Sequence, residues 1–238
     1  MLDRIGFWLL LPVSAVQGLW LRRRALRLPG AAGERQGSSG EGELIRLLAI
    51  GDSIIDGVGT GTVEMSLPVQ FARTLAEQKS RCVTWRIEGR SGDGIDQVIH
   101  RLESLGPGEK PDIVLISVGV NDVTGLSSTR HWRKRLEDLL DCLTGRWPGT
   151  FIIFAGLPPM SLFPLPPQPL RFSLGRRAAL FDRIAARLIA GYPDAVHVPT
   201  RISPLDHSFC ADGFHPSAES CTLWARELAA IEKGRNSI

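Results

Sequence analysis

From Leu44 to the end of the chain, short apolar runs alternate with segments whose apolar residues recur at helical spacing. The apolar runs predict five strands, over residues 44–50, 82–87, 112–120, 150–157 and 195–199. The amphipathic segments predict five helices, over residues 66–79, 94–105, 129–143, 174–190 and 217–231. Strands that are apolar throughout and separated by helices are typical of a parallel sheet covered on both faces. The pattern therefore predicts an α/β fold, a doubly wound three-layer α/β/α sandwich.

The N-terminal pattern is different. Residues 5–21 carry no charge, and arginines occupy positions 22, 23, 24 and 27. The apolar span is at the short end for a transmembrane helix, and the arginines favour a cytoplasmic location for the remainder of the chain. Three interpretations stay open: a membrane anchor or interfacial helix, a helix packed on the domain, and a cleaved signal peptide. Residues 30–43, rich in Gly and Ser, predict a flexible linker between this apolar helix (residues 1–29) and the folded domain (residues 44–238).

Composition narrows the classes of partner. The formal net charge of +3 is small, and part of it lies in the N-terminal cluster. The chain has no nucleic-acid-binding motif, so no nucleic-acid partner is expected. The four cysteines form no CxxC pair, which argues against a zinc site. They are expected to be small buried side chains, with a Cys210–Cys221 bridge left open for an oxidising compartment.

Ligands of doubly wound sheets bind beyond the carboxyl ends of the strands, so the loops there are candidate sites. GDSIIDGVGTG, residues 51–61, comes directly after the first strand. It lacks the GK pair of a phosphate-binding loop, and its later glycines do not open a helix as a dinucleotide fingerprint requires. The alternatives are that Ser53 is an exposed nucleophile on a sharp turn, or that it only caps a turn or helix.

Three further loops carry chemistry at the same predicted edge. Gly92 lies in a glycine-rich loop that precedes a helix, and Asn121 comes after the third strand. Asp212 and His215 share one loop before the last helix, where a carboxylate can orient an imidazole. Each signal is weak alone, but together they provide a nucleophile, a general base with its orienting acid, and oxyanion donors.

At these residues the sequence resembles the SGNH hydrolases, the GDSL family of esterases and lipases. The resemblance covers roughly residues 45–232, and small bacterial arylesterases and acyl-CoA thioesterase I-like members are the most similar in character. Ile54 departs mildly from the leucine of the GDSL motif. The matching blocks are GDSI at 51–54, Gly92 in RSGDG, Gly119 and Asn121 in GVND, and Asp212 and His215 in DGFHP.

The resemblance implies a flavodoxin-like central sheet of five parallel strands in the order 2-1-3-4-5. It implies that Ser53 is the nucleophile, His215 the general base and Asp212 its orienting acid. It implies an oxyanion hole formed by the backbone N–H groups of Ser53 and Gly92 and the side-chain amide of Asn121. No metal or cofactor is expected. The substrate is expected to contact Asp52, Gly119, Leu157 and Pro158.

The expected activity is hydrolysis of carboxylic esters with short to medium acyl chains, through an acyl-enzyme. Alternatives are a thioesterase or lysophospholipase acting on longer chains, and a non-catalytic, membrane-tethered binding module. The Pro-rich residues 160–172 are interpreted as a lid or acyl-pocket wall, or as a plain surface connection. The protein is expected in the cytoplasm or on the cytoplasmic face of the inner membrane, with a periplasmic or secreted location as the alternative. If it associates with a membrane, residues 5–21 are the expected site of contact.

Overall fold

A computed structural model describes residues 13–14, 16–21, 23–106, 108–201 and 206–235. Within these ranges one six-stranded sheet forms the centre, with strand order β1-β3-β2-β4-β5-β6. All neighbouring strands from β3 to β6 are parallel, and β1 is antiparallel to β3. The strands are β1 (Gln36–Ser39), β2 (Leu44–Gly51), β3 (Cys82–Gly89), β4 (Ile113–Ser117), β5 (Phe151–Ala155) and β6 (Ala195–Val198).

The described helices agree with the amphipathic segments and add two short ones. They are α1 (Ser53–Asp56), α2 (Leu67–Lys79), α3 (Ile95–Ser104), α4 (Val120–Thr124), α5 (Thr129–Arg146), α6 (Leu170–Ile189) and α7 (Ala218–Arg235). Single 3₁₀ turns lie at Val63–Met65, Met160–Leu162 and Asp206–Ser208. The two short helices, α1 and α4, come directly after β2 and β4 and are too brief to show a hydrophobic period in the sequence.

Alternate residues of the central strands supply two separate cores. Leu47 and Ala49 of β2 face a core formed with α2 and α7, whereas Leu48 and Ile50 face a second core formed with α3, α5 and α6. Successive side chains of a strand point to opposite faces, so a strand that is apolar throughout must be covered on both. The predicted three-layer sandwich is therefore confirmed, as is the order of its five parallel strands.

The sixth strand corrects the prediction of a flexible linker over residues 30–43. Residues 36–39 form β1 and pair in antiparallel register with β3. A Cβ atom on Gly37 would lie 2.5 Å from Cζ2 of Trp85, so the missing side chain lets the strand lie over that ring. A glycine-rich composition predicts freedom of the chain, but it cannot show that a sheet edge nearby offers hydrogen-bond partners. The other domain bounds stay predictions.

The N-terminal segment is helical at residues 13–14, 16–21 and 23–24, and the preceding part of the predicted apolar helix lies outside the described residues. None of the helices in the described ranges is long and apolar enough to cross a membrane. All four cysteines are free, so Cys210 and Cys221 are not bridged.

Candidate active site

The turn after β2 places Ser53 at the carboxyl edge of the sheet. A Cβ atom on Gly51 would lie 2.0 Å from the carbonyl oxygen of Ser117, so only glycine lets β2 pass β4 at this point. The next N–H group, of Asp52, donates to the same Ser117 oxygen at 3.0 Å. Ser53 then begins α1 and is partly exposed, whereas the residues on either side of it are buried.

Asp52 caps α1, and its side chain is buried. Its Oδ1 atom accepts a hydrogen bond from the N–H of Ile54 at 3.0 Å, and the residue is 1% exposed. Burial raises the pKa of Asp52 to about 7, although the Ile54 N–H and the nearby His215 lower it. The buried side chain shapes the turn that presents Ser53, and the predicted contact of Asp52 with substrate stays a prediction.

Asp212 and His215 form a hydrogen-bonded pair on the loop before α7. His215 Nδ1 lies 2.5 Å from Asp212 Oδ2, and the N–H groups of Phe214 and His215 donate to Asp212 Oδ1 at 2.9 and 3.0 Å. Burial opposes ionisation of Asp212, but these hydrogen bonds together lower its pKa below the ordinary value. With Nδ1 engaged by the carboxylate, Nε2 is the ring nitrogen left to accept a proton.

Ser53 and His215 line one cavity. Pro158, predicted to contact substrate, also lines it. The other walls are the aromatic residues Phe163, Phe214 and Trp224, which the sequence did not single out individually. Phe163 comes from the Pro-rich residues 160–172, which favours their interpretation as a pocket wall. A hydrogen bond attaches the Pro-rich residues to the loop that carries His215: the N–H of Leu165 donates to the carbonyl of Gly213 at 3.0 Å.

Two further residues predicted to contact substrate, Gly119 and Leu157, are buried next to residues that line this cavity, Val120 and Pro158. Gly119 is buried, and a Cβ atom there would lie 2.9 Å from the ring of Trp132. Leu157 is 6% exposed, and its N–H donates to Asp182. Neither residue lines the cavity that Ser53 and His215 share. Their contact with substrate stays a prediction.

The loops that carry Gly92 and Asn121 are bonded to each other. The side-chain Nδ2 of Asn121 donates to the carbonyl of Asp93 at 2.8 Å, and Asp122 Oδ2 accepts from the N–H of Ile95 at 3.0 Å. One amide hydrogen of Asn121 is thereby fixed, which orients the other. Gly92 is exposed and has a φ of +89°, so its backbone conformation suits glycine.

Asp56 joins the helix of Ser53 to the loop of Gly92, a link that the sequence did not indicate. Its Oδ2 accepts from the N–H of Ser91 at 3.2 Å, and its Oδ1 lies 2.6 Å from Nη2 of Arg35. The Arg35 guanidinium also donates to the Asp56 carbonyl at 3.1 Å. No local pattern could reveal this, because Arg35 lies in the stretch whose composition predicts a linker.

A second histidine at this end of the sheet has a carboxylate partner. His197 Nε2, on β6, lies 2.7 Å from Asp182 Oδ1, on α6. The sequence predicted such a partner for His215 only, since His197 and Asp182 are distant along the chain. The same Asp182 oxygen accepts the N–H of Leu157 at 2.9 Å, so this pair holds the loop that continues to Pro158.

The sequence comparisons point to one family. The GDSL-like Lipase/Acylhydrolase family model matches residues 49–221, which include all four loops of the site. A GDSL-like esterase of Mycobacterium tuberculosis is 30% identical, over 76% of this chain and 59% of that protein. The chain therefore spans less than two thirds of this relative's length.

Solved structures share the fold. A lipase/acylhydrolase from Enterococcus faecalis has a TM-score of 0.62 at 23% identity, over 80% of this chain and 96% of that one. The structure of TesA has a TM-score of 0.63 at 18% identity, over 79% of this chain and 98% of that one. At these identities the likeness concerns the fold alone.

Asp52 provides a test by pH. Its pKa is raised to about 7 from an ordinary 3.8. Between these pH values the folded chain keeps a proton that the unfolded chain loses, so the free energy of unfolding falls as the pH rises. Asn at this position keeps an acceptor for the Ile54 N–H and cannot ionise. We expect Asp52→Asn to gain free energy of unfolding relative to the wild type as the pH rises from about 4 to about 7, by about 1.4 kcal/mol per unit of pKa difference.

Urea unfolding of both proteins at several pH values measures this difference. A gap between Asp52→Asn and the wild type that does not change with pH would contradict a raised pKa for Asp52.

Proposed function

Because this chain belongs to the GDSL-like lipase/acylhydrolase family, we propose that it hydrolyses carboxylic esters through a serine acyl-enzyme. Ser53 is the nucleophile, His215 the general base and Asp212 the acid that orients it. The observation that carries the proposal is the 2.5 Å hydrogen bond between Asp212 and His215, on a loop whose histidine lines the same cavity as Ser53. A nucleophile, a base and an orienting group together are the arrangement that acyl transfer needs.

The reaction proceeds in two steps. Ser53 Oγ attacks the ester carbonyl while His215 Nε2 takes its proton, and the imidazolium then returns that proton to the departing alkoxide. Water attacks the acyl-enzyme with His215 again as base, which releases the carboxylic acid and restores Ser53. Asp212 stays ionised throughout, consistent with its lowered pKa, and stabilises the imidazolium.

Three donors stabilise the tetrahedral oxyanion in this account. They are the N–H groups of Ser53 and Gly92 and the second hydrogen of the Asn121 amide. The fixed Asn121–Asp93 hydrogen bond supports this assignment, since it holds the amide in place before substrate arrives. Donors that need no reorganisation are the most effective in stabilising developing charge.

The cavity walls favour an apolar acyl group. Phe163 and Trp224 are 2% and 3% exposed, and Phe214 stands edge-to-face on Phe163 at 5.1 Å between ring centroids. Closely packed aromatic rings leave little room beside Ser53, which favours short to medium acyl chains over long ones. Thioesters and lysophospholipids with longer chains are the second candidates, and they would need this wall to move.

A fluorophosphonate probe tests the nucleophile and separates an esterase from a non-catalytic binding module. We expect the wild type to be labelled and to hydrolyse p-nitrophenyl acetate, because His215 raises the nucleophilicity of Ser53. Ser53→Ala should lose both labelling and turnover above the uncatalysed background. Ser104→Ala, which removes an exposed hydroxyl on α3, is the matched control and should retain both. Turnover retained in Ser53→Ala would overturn the proposed function.

A further inference from the structure

The N-terminal helix, described at residues 13–14, 16–21 and 23–24, has apolar side chains exposed and a polar one buried. Val16, Leu19 and Trp20 are 67%, 60% and 53% exposed, whereas Ser14 is 6% exposed. A helix on the surface of a globular protein normally turns its apolar stripe toward the core and its polar residues toward water. Exposed side chains of this size in one cluster are a mark of an interaction surface.

Specific hydrogen bonds hold the helix in this orientation. The side-chain amide of Gln17 donates to the carbonyl of Gln168 at 2.8 Å, and its oxygen accepts from the N–H of Leu170 at 3.1 Å. Gln17 thus faces the protein from the same side of the helix as Ser14 and the buried Leu21. The apolar residues are directed outward as a consequence.

Basic side chains continue this surface. Arg23, Arg24 and Arg27 are all exposed, and no carboxylate among the described residues pairs with them. The Arg24 guanidinium lies over the Trp20 ring at 5.6 Å from its centroid. An exposed tryptophan beside unpaired arginines suits the boundary between acyl chains and anionic headgroups.

We propose that this N-terminal face docks on the surface of an anionic lipid bilayer. Its apolar part is Val13, Val16, Leu19, Trp20 and Leu26, and its basic part is Arg23, Arg24 and Arg27. The apolar side chains enter the interface, and the guanidinium groups bind lipid phosphates. The positive charge distinguishes a bilayer from a second copy of this chain, since two such faces would repel each other.

The docked helix is connected to the cavity. Gln168 and Leu170, which bind Gln17, lie in the Pro-rich residues 160–172, and the same residues contribute Phe163 to the cavity wall. Phe172, 49% exposed, donates its N–H to Gln168 Oε1 at 3.2 Å, so an exposed aromatic ring is attached to the same residue that binds Gln17. Docking therefore brings the Pro-rich wall toward the lipid, where esters of apolar acids collect. This last consequence rests on the proposed function, whereas docking itself does not.

Vesicle flotation of the full chain tests the docking surface. We expect binding to phosphatidylcholine vesicles that contain phosphatidylglycerol, weaker binding to phosphatidylcholine alone, and loss of binding with added salt. Trp20→Glu and the triple change Arg23→Glu, Arg24→Glu, Arg27→Glu should each lower the bound fraction at least tenfold. The matched control is Arg183→Glu with Arg187→Glu, which reverses exposed charges on α6 and should bind as the wild type does.

The remaining outcomes are distinct. Turnover of p-nitrophenyl acetate by both N-terminal variants should equal that of the wild type, so a failure of docking is distinguishable from a failure of the proposed esterase activity. Equal vesicle binding by all variants would overturn the docking surface. A dimer that depends on Trp20, seen by light scattering without vesicle binding, would overturn it in favour of a second copy of the chain.

A second inference rests on the contacts of Asp56. The geometry points to Arg35 and Asp56 as positioning residues for the oxyanion hole. Asp56 ends α1, which Ser53 begins, and its carboxylate binds the N–H of Ser91, next to Gly92. One carboxylate thus fixes the spacing between the two backbone donors assigned to the hole, and this inference rests on the proposed function.

Arg35 forms an ion pair with the Asp56 carboxylate. It precedes residues 49–221, which the family model matches. The Asp56 side chain is 12% exposed, so its charge is largely removed from water and depends on the guanidinium. The N–H of Ala31 also donates to the Asp56 carbonyl, at 3.1 Å, so the segment before β1 is attached at the same point. The residues before the matched region therefore support the site directly.

Steady-state kinetics with p-nitrophenyl acetate test this role. We expect Arg35→Ala and Asp56→Asn each to lower kcat about tenfold with little change in KM, because a misplaced donor weakens only transition-state binding. Arg35→Lys should restore part of kcat, and the double variant should be no slower than the slower single one. Arg86→Ala, which removes an exposed arginine from the neighbouring β3, is the control and should leave kcat unchanged.

An unchanged kcat in Arg35→Ala, measured where the variant is fully folded by circular dichroism, would overturn the positioning role. So would effects that multiply in the double variant. If Ser53→Ala stays active, the proposed function itself fails, whatever Arg35→Ala shows.

Discussion

The close passage of β2 past β4 at Gly51 and Ser117 is the constraint on which the site depends. The two backbones approach so closely that a side chain at Gly51 would overlap the Ser117 carbonyl. The chain must then turn sharply, and the turn exposes Ser53 while Asp52 is buried as the cap of α1. The parallel sheet brings the ends of β2, β3 and β4 to one edge, so the loops after them meet there without any long excursion.

The sheet brings the loops of the site close together, and hydrogen bonds between those loops hold their side chains in place. Asn121 binds the carbonyl of Asp93, Asp122 caps α3, and Asp56 binds the N–H of Ser91. On the other side of the cavity, Asp212 collects three hydrogen bonds from Phe214 and His215. Each of these carboxylates or amides is wholly or partly buried, so its bonds compete little with water. The result is a group of polar side chains held in place before any substrate binds.

The sequence predicted the sheet and the places of Ser53, Gly92, Asn121, Asp212 and His215 because these arise from local patterns. An apolar run marks a buried strand, and the ends of parallel strands share an edge. It did not predict β1, since glycine-rich composition carries no information about a partner strand. It did not predict the Arg35–Asp56 pair or the place of Trp224 in the cavity wall, because these join residues far apart in the chain. The predicted substrate contacts of Asp52, Gly119 and Leu157 depend on the direction of each residue within its folded loop, which a local sequence pattern does not show.

The central claim is that Ser53 carries the acyl group during turnover. Rapid acid quench of the full chain with p-nitrophenyl acetate, then proteolysis and mass spectrometry, tests this directly. The account predicts an acetyl group on Ser53, in the peptide that contains GDSIIDG, and none at the other serines. Turnover with the acetyl group on a different residue would contradict it.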